Sequence, residues 1–235
     1  MRSKGRGFTD ARVDAVVKFG GSLLMKEEWT KPAIQGMAEA ARAGSRLVVI
    51  PGGGPTDKTI EALDKRHPFA PNTHHRACAR AQDQTGLMIS DPAFGTDLVP
   101  CENLEQVTAA LDEGKVAVLL PSSIIFAIDP FERTWEITSD GMSAWFAWLL
   151  GTKQLVILTD VDGVYPPQSV FEGPPIPKIA ASQLDLWGHT AVDACTPSFL
   201  KRHGISCWVL HGGKPGRLAS ALGGQKTVGT LILPE

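Results

Sequence analysis

Short apolar segments that alternate with helical patterns constrain the fold of this chain more than any other feature. Four of them have the length of buried strands and few polar residues: Arg46–Ile50, Lys115–Leu120, Leu155–Thr159 and Ile205–Leu210. Strands buried on both faces are typical of parallel sheets, and their alternation with helices favours a sheet with helices on its faces. We therefore predict an α/β fold, with a further strand over Val13–Phe19 and a last one over Thr230–Leu233.

Two glycine-rich loops follow the first two predicted strands. Lys18 precedes Gly20, Gly21 and Ser22, and the second strand leads into a run that contains Gly52, Gly53 and Gly54. Glycines let the backbone approach an anion closely, and N–H groups at the next helix start bind phosphate oxygens. The pattern is not the GxxxxGK[ST] phosphate loop, because the lysine comes first. The alternatives are a plain strand–turn–helix with a surface lysine at the first loop and a flexible turn at the second.

Three aspartates complete the candidate site. Asp140 begins a helix after Thr138 and Ser139, while Asp160 and Asp162 directly follow the strand Leu155–Thr159. Ligands of open α/β sheets bind at the carboxyl ends of the strands, so these residues predict a phosphoryl-transfer site together with Lys18. Asp140 or Asp160 could orient the lysine, bind a metal through water or orient the acceptor, and the sequence leaves these roles open. We predict Mg²⁺ at this site, without a metal site made of protein ligands alone, because Mg²⁺ binds carboxylate and phosphate oxygens and keeps several waters.

A helix within the segment His67–Ser90 is the predicted wall of the acceptor pocket. His74 and His75 lie near the start of this helix, and one face carries Arg76, Arg80 and Asp83. The alternative is a solvated helix whose histidines cap it or face water.

Composition excludes several classes of partner. The net charge of -2 gives no electrostatic reason to expect nucleic acid or an anionic membrane as partner, and no apolar run approaches the ~20 residues of a spanning helix. The first residues are basic but lack the apolar segment of a secretory signal. We expect a cytoplasmic protein with a flexible tail over residues 1–12 and a single domain over residues 13–235.

The cysteines predict neither disulfides nor zinc. They are far apart, without CxxC or zinc-ligand spacing: Cys78, Cys101, Cys195 and Cys207. In a chain without a secretory signal, reduced and mostly buried thiols are the better interpretation.

In this order, the motifs resemble those of the amino acid kinase superfamily. The shared segments are VKFGGS, VVIPGGG, TSDGMSAWFA, LTDVDGVY and the closing GTLI, which together extend from Val13 to Leu233. The resemblance implies a three-layer α/β/α sandwich with a mainly parallel central sheet, ATP as phosphoryl donor, and a homo-oligomer of two or more copies. It also implies an acceptor side over residues 13–135 and a nucleotide side over residues 136–235.

The resemblance assigns roles to the candidate residues. Lys18 would neutralise the transferring phosphate, Asp140 would orient the lysines, and the loop Gly52–Gly54 would hold the acceptor. The predicted nucleotide-binding residues are Gly20, Gly21, Ser22, Thr159, Asp160, Asp162, Gly163, Val164 and Tyr165.

Within the superfamily, the segment PFERTWEITSD resembles the branch that contains the kinase of methanofuran biosynthesis. This implies that the acceptor is an aminomethylfuran-methyl phosphate, which the enzyme would convert to the diphosphate. An acceptor with a phosphate and an amine needs cationic groups and a carboxylate. His75, Arg76 and Asp193 are the predicted substrate-binding residues, in that order.

One segment departs from the family pattern. Typical members carry a second catalytic lysine in a TGGMxxK segment, whereas the comparable stretch here, residues 189–196, has no lysine. Lys178 is the predicted substitute, and the alternatives are Lys214 or a branch that works without a second lysine. Two other hypotheses stay open: a superfamily kinase for UMP, carbamate or acetylglutamate, and a nucleotide-binding storage or sensor protein without turnover.

Overall fold

The protein is described by a computed structural model over residues 11–128, 130–134, 137–167, 169, 173–188 and 190–235. Within these residues the strands are β1 (Ala15–Phe19), β2 (Leu47–Pro51), β3 (Leu98–Cys101), β4 (Val116–Leu119), β5 (Gln154–Thr159), β6 (Lys178–Ala180), β7 (Ser206–His211) and β8 (Thr230–Leu233). The helices are α1 (Glu27–Arg42), α2 (Gly54–Arg66), α3 (Pro71–Ile89), α4 (Leu104–Asp112), α5 (Ser122–Ile128), α6 (Ser139–Leu149), α7 (Ala181–Asp185), α8 (Thr196–His203) and α9 (Arg217–Leu222).

The described strands form one eight-stranded sheet in the order β3-β4-β2-β1-β5-β7-β8-β6. Every neighbouring pair is parallel except β7 and β8, which are antiparallel. Because β6 pairs parallel with β8, these two strands run opposite to the other six. The prediction of an α/β fold with a mainly parallel sheet is confirmed.

Helices cover both faces of the sheet and make a three-layer sandwich. Alternate residues of β1 divide between the two cores: Ala15, Val17 and Phe19 pack with α1 and α9, whereas Val16 packs with α4, α6 and α8. This alternation is the period-two geometry of a strand buried on both sides. Lys18 follows Val16 by two residues and therefore points to the α6 face.

Charge and proline determine where two of the helices begin. The sequence pattern predicts a helix over Lys31–Gly44, but α1 begins earlier, at Glu27, because Glu27 and Glu28 occupy its first turn, where negative charge is favourable. Helix α3 begins at Pro71, since proline fits the first turn of a helix and not its interior, and His74 and His75 lie near its start as expected.

The predicted flexible tail falls almost entirely on residues 1–10, which lie outside the described residues. Trp135 and Glu136, in the segment PFERTWEITSD, also lie outside them. The division of the single domain into acceptor and nucleotide sides stays a prediction.

Candidate active site

The centre of the candidate site is a buried ion pair between a strand and a helix. Lys18 Nζ lies 2.7 Å from Asp140 Oδ1, and the two side chains are 11% and 10% exposed. Lys18 comes one residue before the end of β1, a central strand, and Asp140 is in the first turn of α6. Thr138 caps this helix, because its hydroxyl accepts a hydrogen bond from the N–H of Asp140 at 3.4 Å. The structure therefore brings together the two residues with the sharpest predicted roles.

The two glycine loops meet beside this pair. The N–H of Gly20 donates to Leu158 O at 2.8 Å, and the N–H of Gly52 donates to Phe19 O at 2.8 Å, so the sheet ladder continues past the strand ends. A Cβ atom added to Gly21 would lie 2.4 Å from the N and Cα atoms of Gly54, whose φ is +61°. The loops thus touch backbone to backbone, which only glycine permits. Such a cradle has the shape that a phosphate group requires.

Asp193 does not open toward an acceptor. It is 1% exposed, and both oxygens of its carboxylate accept hydrogen bonds from within the protein. The N–H of Gly141 donates at 3.1 Å and the Thr138 hydroxyl at 2.7 Å to Oδ2, while the N–H of Thr196 donates at 2.8 Å to Oδ1. These contacts leave the predicted acceptor-binding role of Asp193 without geometric support.

The predicted nucleotide loop lies at the carboxyl end of β5. Asp160 is exposed, whereas Asp162 forms an ion pair with Arg217 at 2.6 Å. Thr230, at the start of β8, fixes this loop, because its hydroxyl accepts from the N–H of Val164 at 2.8 Å and donates to Ile176 O at 2.6 Å. The exposed carboxylate of Asp160 therefore stands on a loop that is tied to the sheet.

His211 ends β7 next to this loop. Burial lowers the pKa of its imidazole below the usual range, although Asp162 acts in the opposite direction. Its Nδ1 accepts from the N–H of Gly213 at 3.1 Å, which places the proton of the neutral ring on Nε2. His211 is thus a neutral group at pH 7 and packs edge-on against Trp29.

The predicted acceptor wall is α3, which packs against α2. His74 and His75 are 8% and 6% exposed, so the alternative of histidines that face water does not hold. His74 Nδ1 lies 3.8 Å from Asp64 Oδ2 on α2. Arg76 is exposed, and its guanidinium lies 4.0 Å from the ring centroid of Phe126 on α5.

A second carboxylate of α2 lies against the triple-glycine loop. The side chain of Asp57 occupies the space that a Cβ atom of Gly53 would need, since that atom would lie 2.5 Å from Asp57 Cβ. Burial raises the pKa of the Asp57 carboxyl, while a hydrogen bond with Cys78 and the charge of Lys18 lower it. Asp57 is therefore within electrostatic reach of Lys18.

The structure does not bring the predicted third catalytic residue to this pair. Lys178 is exposed and is the first residue of β6. In the sheet, β6 lies four strand spacings from β1. At about 4.8 Å per spacing this is about 19 Å across the sheet, beyond the reach of a lysine side chain. Lys214 is also exposed, but it follows β7, which only two spacings, or about 10 Å, separate from β1. Of the two candidates, Lys214 is the nearer.

The four cysteines are free thiols. Burial raises the pKa of Cys101 to about 11, and burial together with the charge of Asp193 raises the pKa of Cys195 further. Protonated thiols are the expected form at neutral pH, which makes these cysteines packing residues rather than nucleophiles.

Two further observations concern metals and membranes. Among the described residues, no group of three or more His, Cys, Asp or Glu side chains could hold a metal ion. None of the helices in the described part of the chain is long and apolar enough to cross a membrane.

Sequence reasoning missed three residues that shape the site. The sequence places Thr138 at a helix start, and its position before Asp140 is a recognisable N-cap signal. Arg217 and Thr230 gave no such signal, because their partners Asp162 and Val164 are far away along the chain.

Comparison with known proteins identifies relatives over nearly the whole chain. The model of the amino acid kinase family matches residues 15–211. The (5-(aminomethyl)furan-3-yl)methyl phosphate kinase of Methanocaldococcus jannaschii is 29% identical over 219 residues, which cover 93% of this chain and 97% of that protein. The acetylglutamate kinase of Rubrobacter xylanophilus is 23% identical over 94% of this chain and 97% of that protein.

Solved structures show the same fold. The uridylate kinase of Archaeoglobus fulgidus superposes with a TM-score of 0.72 at 17% identity, over 94% of this chain and 100% of that one. The UMP kinase of Bacillus anthracis superposes with a TM-score of 0.70 at 14% identity, over 94% of this chain and 96% of that one.

Proposed function

The chain belongs to the amino acid kinase family, whose model matches residues 15–211, and we propose that it transfers the γ-phosphate of ATP to an aminomethylfuran-methyl phosphate. The family and the kinases among its relatives support the general reaction. The buried pair of Lys18 and Asp140, 2.7 Å apart beside two touching glycine loops, is the observation that carries it. The end-to-end match with the M. jannaschii kinase supports the acceptor.

In this mechanism Lys18 supplies positive charge to the phosphoryl group in transfer. Phosphoryl transfer needs positioning and charge stabilisation more than covalent chemistry. An ammonium group that is 11% exposed interacts more strongly with developing negative charge than one in water would. Asp140 fixes the direction of the Lys18 side chain, so that the ammonium need not reorganise during the reaction.

The glycine loops hold the two substrates on either side of Lys18. The loop with Gly20, Gly21 and Ser22 and the segment from Thr159 to Tyr165 would bind ATP, while Gly52–Gly54 would bind the acceptor phosphate. Gly21 and Gly54 lie in backbone contact, which is possible because neither has a side chain, and this contact keeps the donor and acceptor loops adjacent. This proximity is what direct in-line transfer requires.

Mg²⁺ fits this site as a partner of ATP. The described residues offer no cluster of three protein ligands, and Mg²⁺ is commonly held by substrate phosphates, waters and one or two carboxylates. The exposed carboxylate of Asp160 and that of Asp140 are the groups that would hold it, directly or through water. When bound, the ion would supply neutralising charge between the β- and γ-phosphates.

Lys214 is our candidate for the second positive charge, in place of Lys178. It is exposed at the carboxyl end of β7, on the nucleotide side and two strands from Lys18. His75 and Arg76, from the start of α3, are the candidates for the far end of the acceptor.

ADP release with Mg-ATP tests the proposal. We expect release with the aminomethylfuran-methyl phosphate and less than a tenth of that rate with UMP, carbamate, acetylglutamate or aspartate. If one of these other acceptors is preferred, the proposed kinase reaction stands but the proposed acceptor is wrong. ATP binding without ADP release under any acceptor would overturn turnover itself and support a storage or sensor protein.

A further inference from the structure

Asp193 lies where two helices begin. It precedes α8 by three residues, and its Oδ1 accepts from the N–H and the hydroxyl of Thr196 and, at 3.3 Å, from Cys195 Sγ. Its Oδ2 accepts from the N–H of Gly141 in α6 and from both the N–H and the hydroxyl of Thr138, at 3.1, 3.2 and 2.7 Å. One buried carboxylate therefore satisfies donors of two helix N-termini, where negative charge is favourable.

The residues at the start of α6 that donate to Asp193 lie on both sides of Asp140 in the sequence. Thr138 and Gly141 flank it, and the Thr138 hydroxyl that donates to Asp193 also accepts from the N–H of Asp140. Gly141 is packed so closely that a Cβ atom on it would lie 2.5 Å from Cys195 Sγ. The backbone on both sides of Asp140 is thus fixed to the segment around Asp193.

From this geometry we infer that Asp193 is a positioning residue, which acts through the first turn of α6 to hold Asp140 against Lys18. The inference rests on the proposed kinase reaction and replaces the predicted contact of Asp193 with the acceptor. It also gives a role to the segment that contains Asp193 and lacks the family's second lysine. Through Asp193, this segment holds the helix turn that carries Asp140.

Asp193→Asn is the direct test. Both carboxylate oxygens of Asp193 accept hydrogen bonds from several donors. In asparagine one oxygen is replaced by an NH₂ group, which would face N–H and O–H donors in either orientation of the amide. The first turn of α6 must then shift. A shift of about 1 Å near the reacting groups lowers the rate by about 100-fold. We expect kcat to fall by about this factor, with the KM of both substrates changed less than about threefold.

A double-mutant cycle distinguishes positioning from general damage. If Asp193 acts through Asp140, then Asp193→Asn lowers kcat by less than about threefold in an Asp140→Asn background. Equal losses in both backgrounds would overturn the inference. A rise of more than tenfold in the acceptor KM at unchanged kcat would also overturn it, since the acceptor would then contact Asp193.

A milder pair of variants keeps the test informative if Asp193→Asn fails to fold. Thr138→Val removes the hydroxyl that links Asp193 to Asp140. Thr152→Val removes an equivalent hydroxyl after the other end of α6, where Thr152 donates to Asp14 O at 2.8 Å. We expect both variants to be less stable than the native protein. Only Thr138→Val should have a lower kcat, by about tenfold, and Thr138→Ser should restore most of this loss. Equal kcat for the two valine variants would contradict the inference.

A last readout does not depend on turnover. Lys18 is 11% exposed and paired, whereas Lys115 is 31% exposed, so an amine-modifying reagent should label Lys115 faster in the native protein. We expect Asp193→Asn to raise Lys18 labelling toward the level of Asp140→Asn, with Lys115 unchanged. Unchanged Lys18 labelling would overturn the inference. Absence of ADP release from the native protein would instead overturn the proposed function, and the two failures are thus separate.

Discussion

At the residue scale, the Lys18–Asp140 pair is better suited to catalysis than to stability. Two charges that are 11% and 10% exposed lose much of their hydration, and the attraction at 2.7 Å does little more than offset this cost. A hydrophobic pair of similar size would stabilise the fold equally well. The pair therefore makes physical sense where a ligand with negative charge uses the ammonium.

Lys18→Ala tests this directly. We expect turnover to fall by about 1000-fold, while the dissociation constant for ATP rises less than about fivefold, because the charge matters most where negative charge develops. Kinetics and calorimetric titration measure the two quantities, with Lys115→Ala as a control far from the site. Equal losses in turnover and affinity would indicate a role in ground-state binding only.

Asp57 gives a second prediction for a single residue. Its raised pKa means that the folded protein holds this proton to a higher pH than the unfolded chain does. Stability is therefore lost as pH rises above the ordinary carboxyl range, and Asp57→Asn avoids this loss. We expect the unfolding free energy of the variant to rise relative to that of the native protein between pH 4 and pH 7.

Urea unfolding at the two pH values measures this gain. Asp97→Asn is a control of opposite sign, because a hydrogen bond from Arg42 lowers the pKa of Asp97 and so contributes stability at pH 7. A gain for Asp97→Asn or a loss for Asp57→Asn over this range would contradict the assignment.

At the element scale, the strands and their loops could be predicted from the sequence, and the helix network behind α6 could not. A buried parallel strand such as Leu155–Val-Ile-Leu-Thr159 is a local apolar pattern, and its carboxyl end fixes where Asp160 must lie. The partners of Asp193 and Asp162 come from packing between segments far apart in sequence, which no local pattern encodes. For the same reason the sequence does not decide between Lys178 and Lys214: strand order sets their distance from Lys18, and strand order is not a local property.

The contact between the glycine loops supports a prediction at this scale. Gly21→Ala places a methyl group 2.4 Å from the backbone of Gly54, so the loops must separate. We expect a loss of at least about 2 kcal/mol in stability, typical of overpacking, and a large loss of turnover. Gly36→Ala in α1 is the matched control: nothing lies within 4 Å of its added Cβ, so it should gain up to about 1 kcal/mol. Thermal unfolding of both variants measures the contrast, and equal effects would contradict the close contact.

At the scale of the whole molecule, one sheet carries both sides of the candidate site. The strand order places β2, β1, β5 and β7 side by side, and their carboxyl ends supply the loop Gly52–Gly54, Lys18, the loop from Asp160 to Tyr165 and His211 in that sequence. Neighbouring strands in one sheet cannot move far apart. For the proposed kinase reaction, we therefore expect loops and helix ends to adjust to the substrates while the sheet stays rigid.

The resemblance predicts a homo-oligomer, and this stays a prediction. The chain has a mass of 25.1 kDa, so light scattering on the purified protein should give about twice that value or more. A mass equal to that of one chain at micromolar concentration would contradict it.

The order of strands also has a consequence for how the protein is made. Among the residues that the structure describes, β6 pairs only with β8, and α7, α8, β7 and α9 lie between the two in the chain. During translation, β6 leaves the ribosome before its partner β8. The hydrogen bond from the N–H of Val164 to the hydroxyl of Thr230 cannot form until β8 follows. The half of the sheet built from β1 to β5 can form while synthesis continues, but the loop that contains Val164 acquires its contact with Thr230 only after β8 emerges. From the proposed function we therefore expect a chain stalled before β8 to contain the folded half-sheet β1 to β5 and not to retain nucleotide.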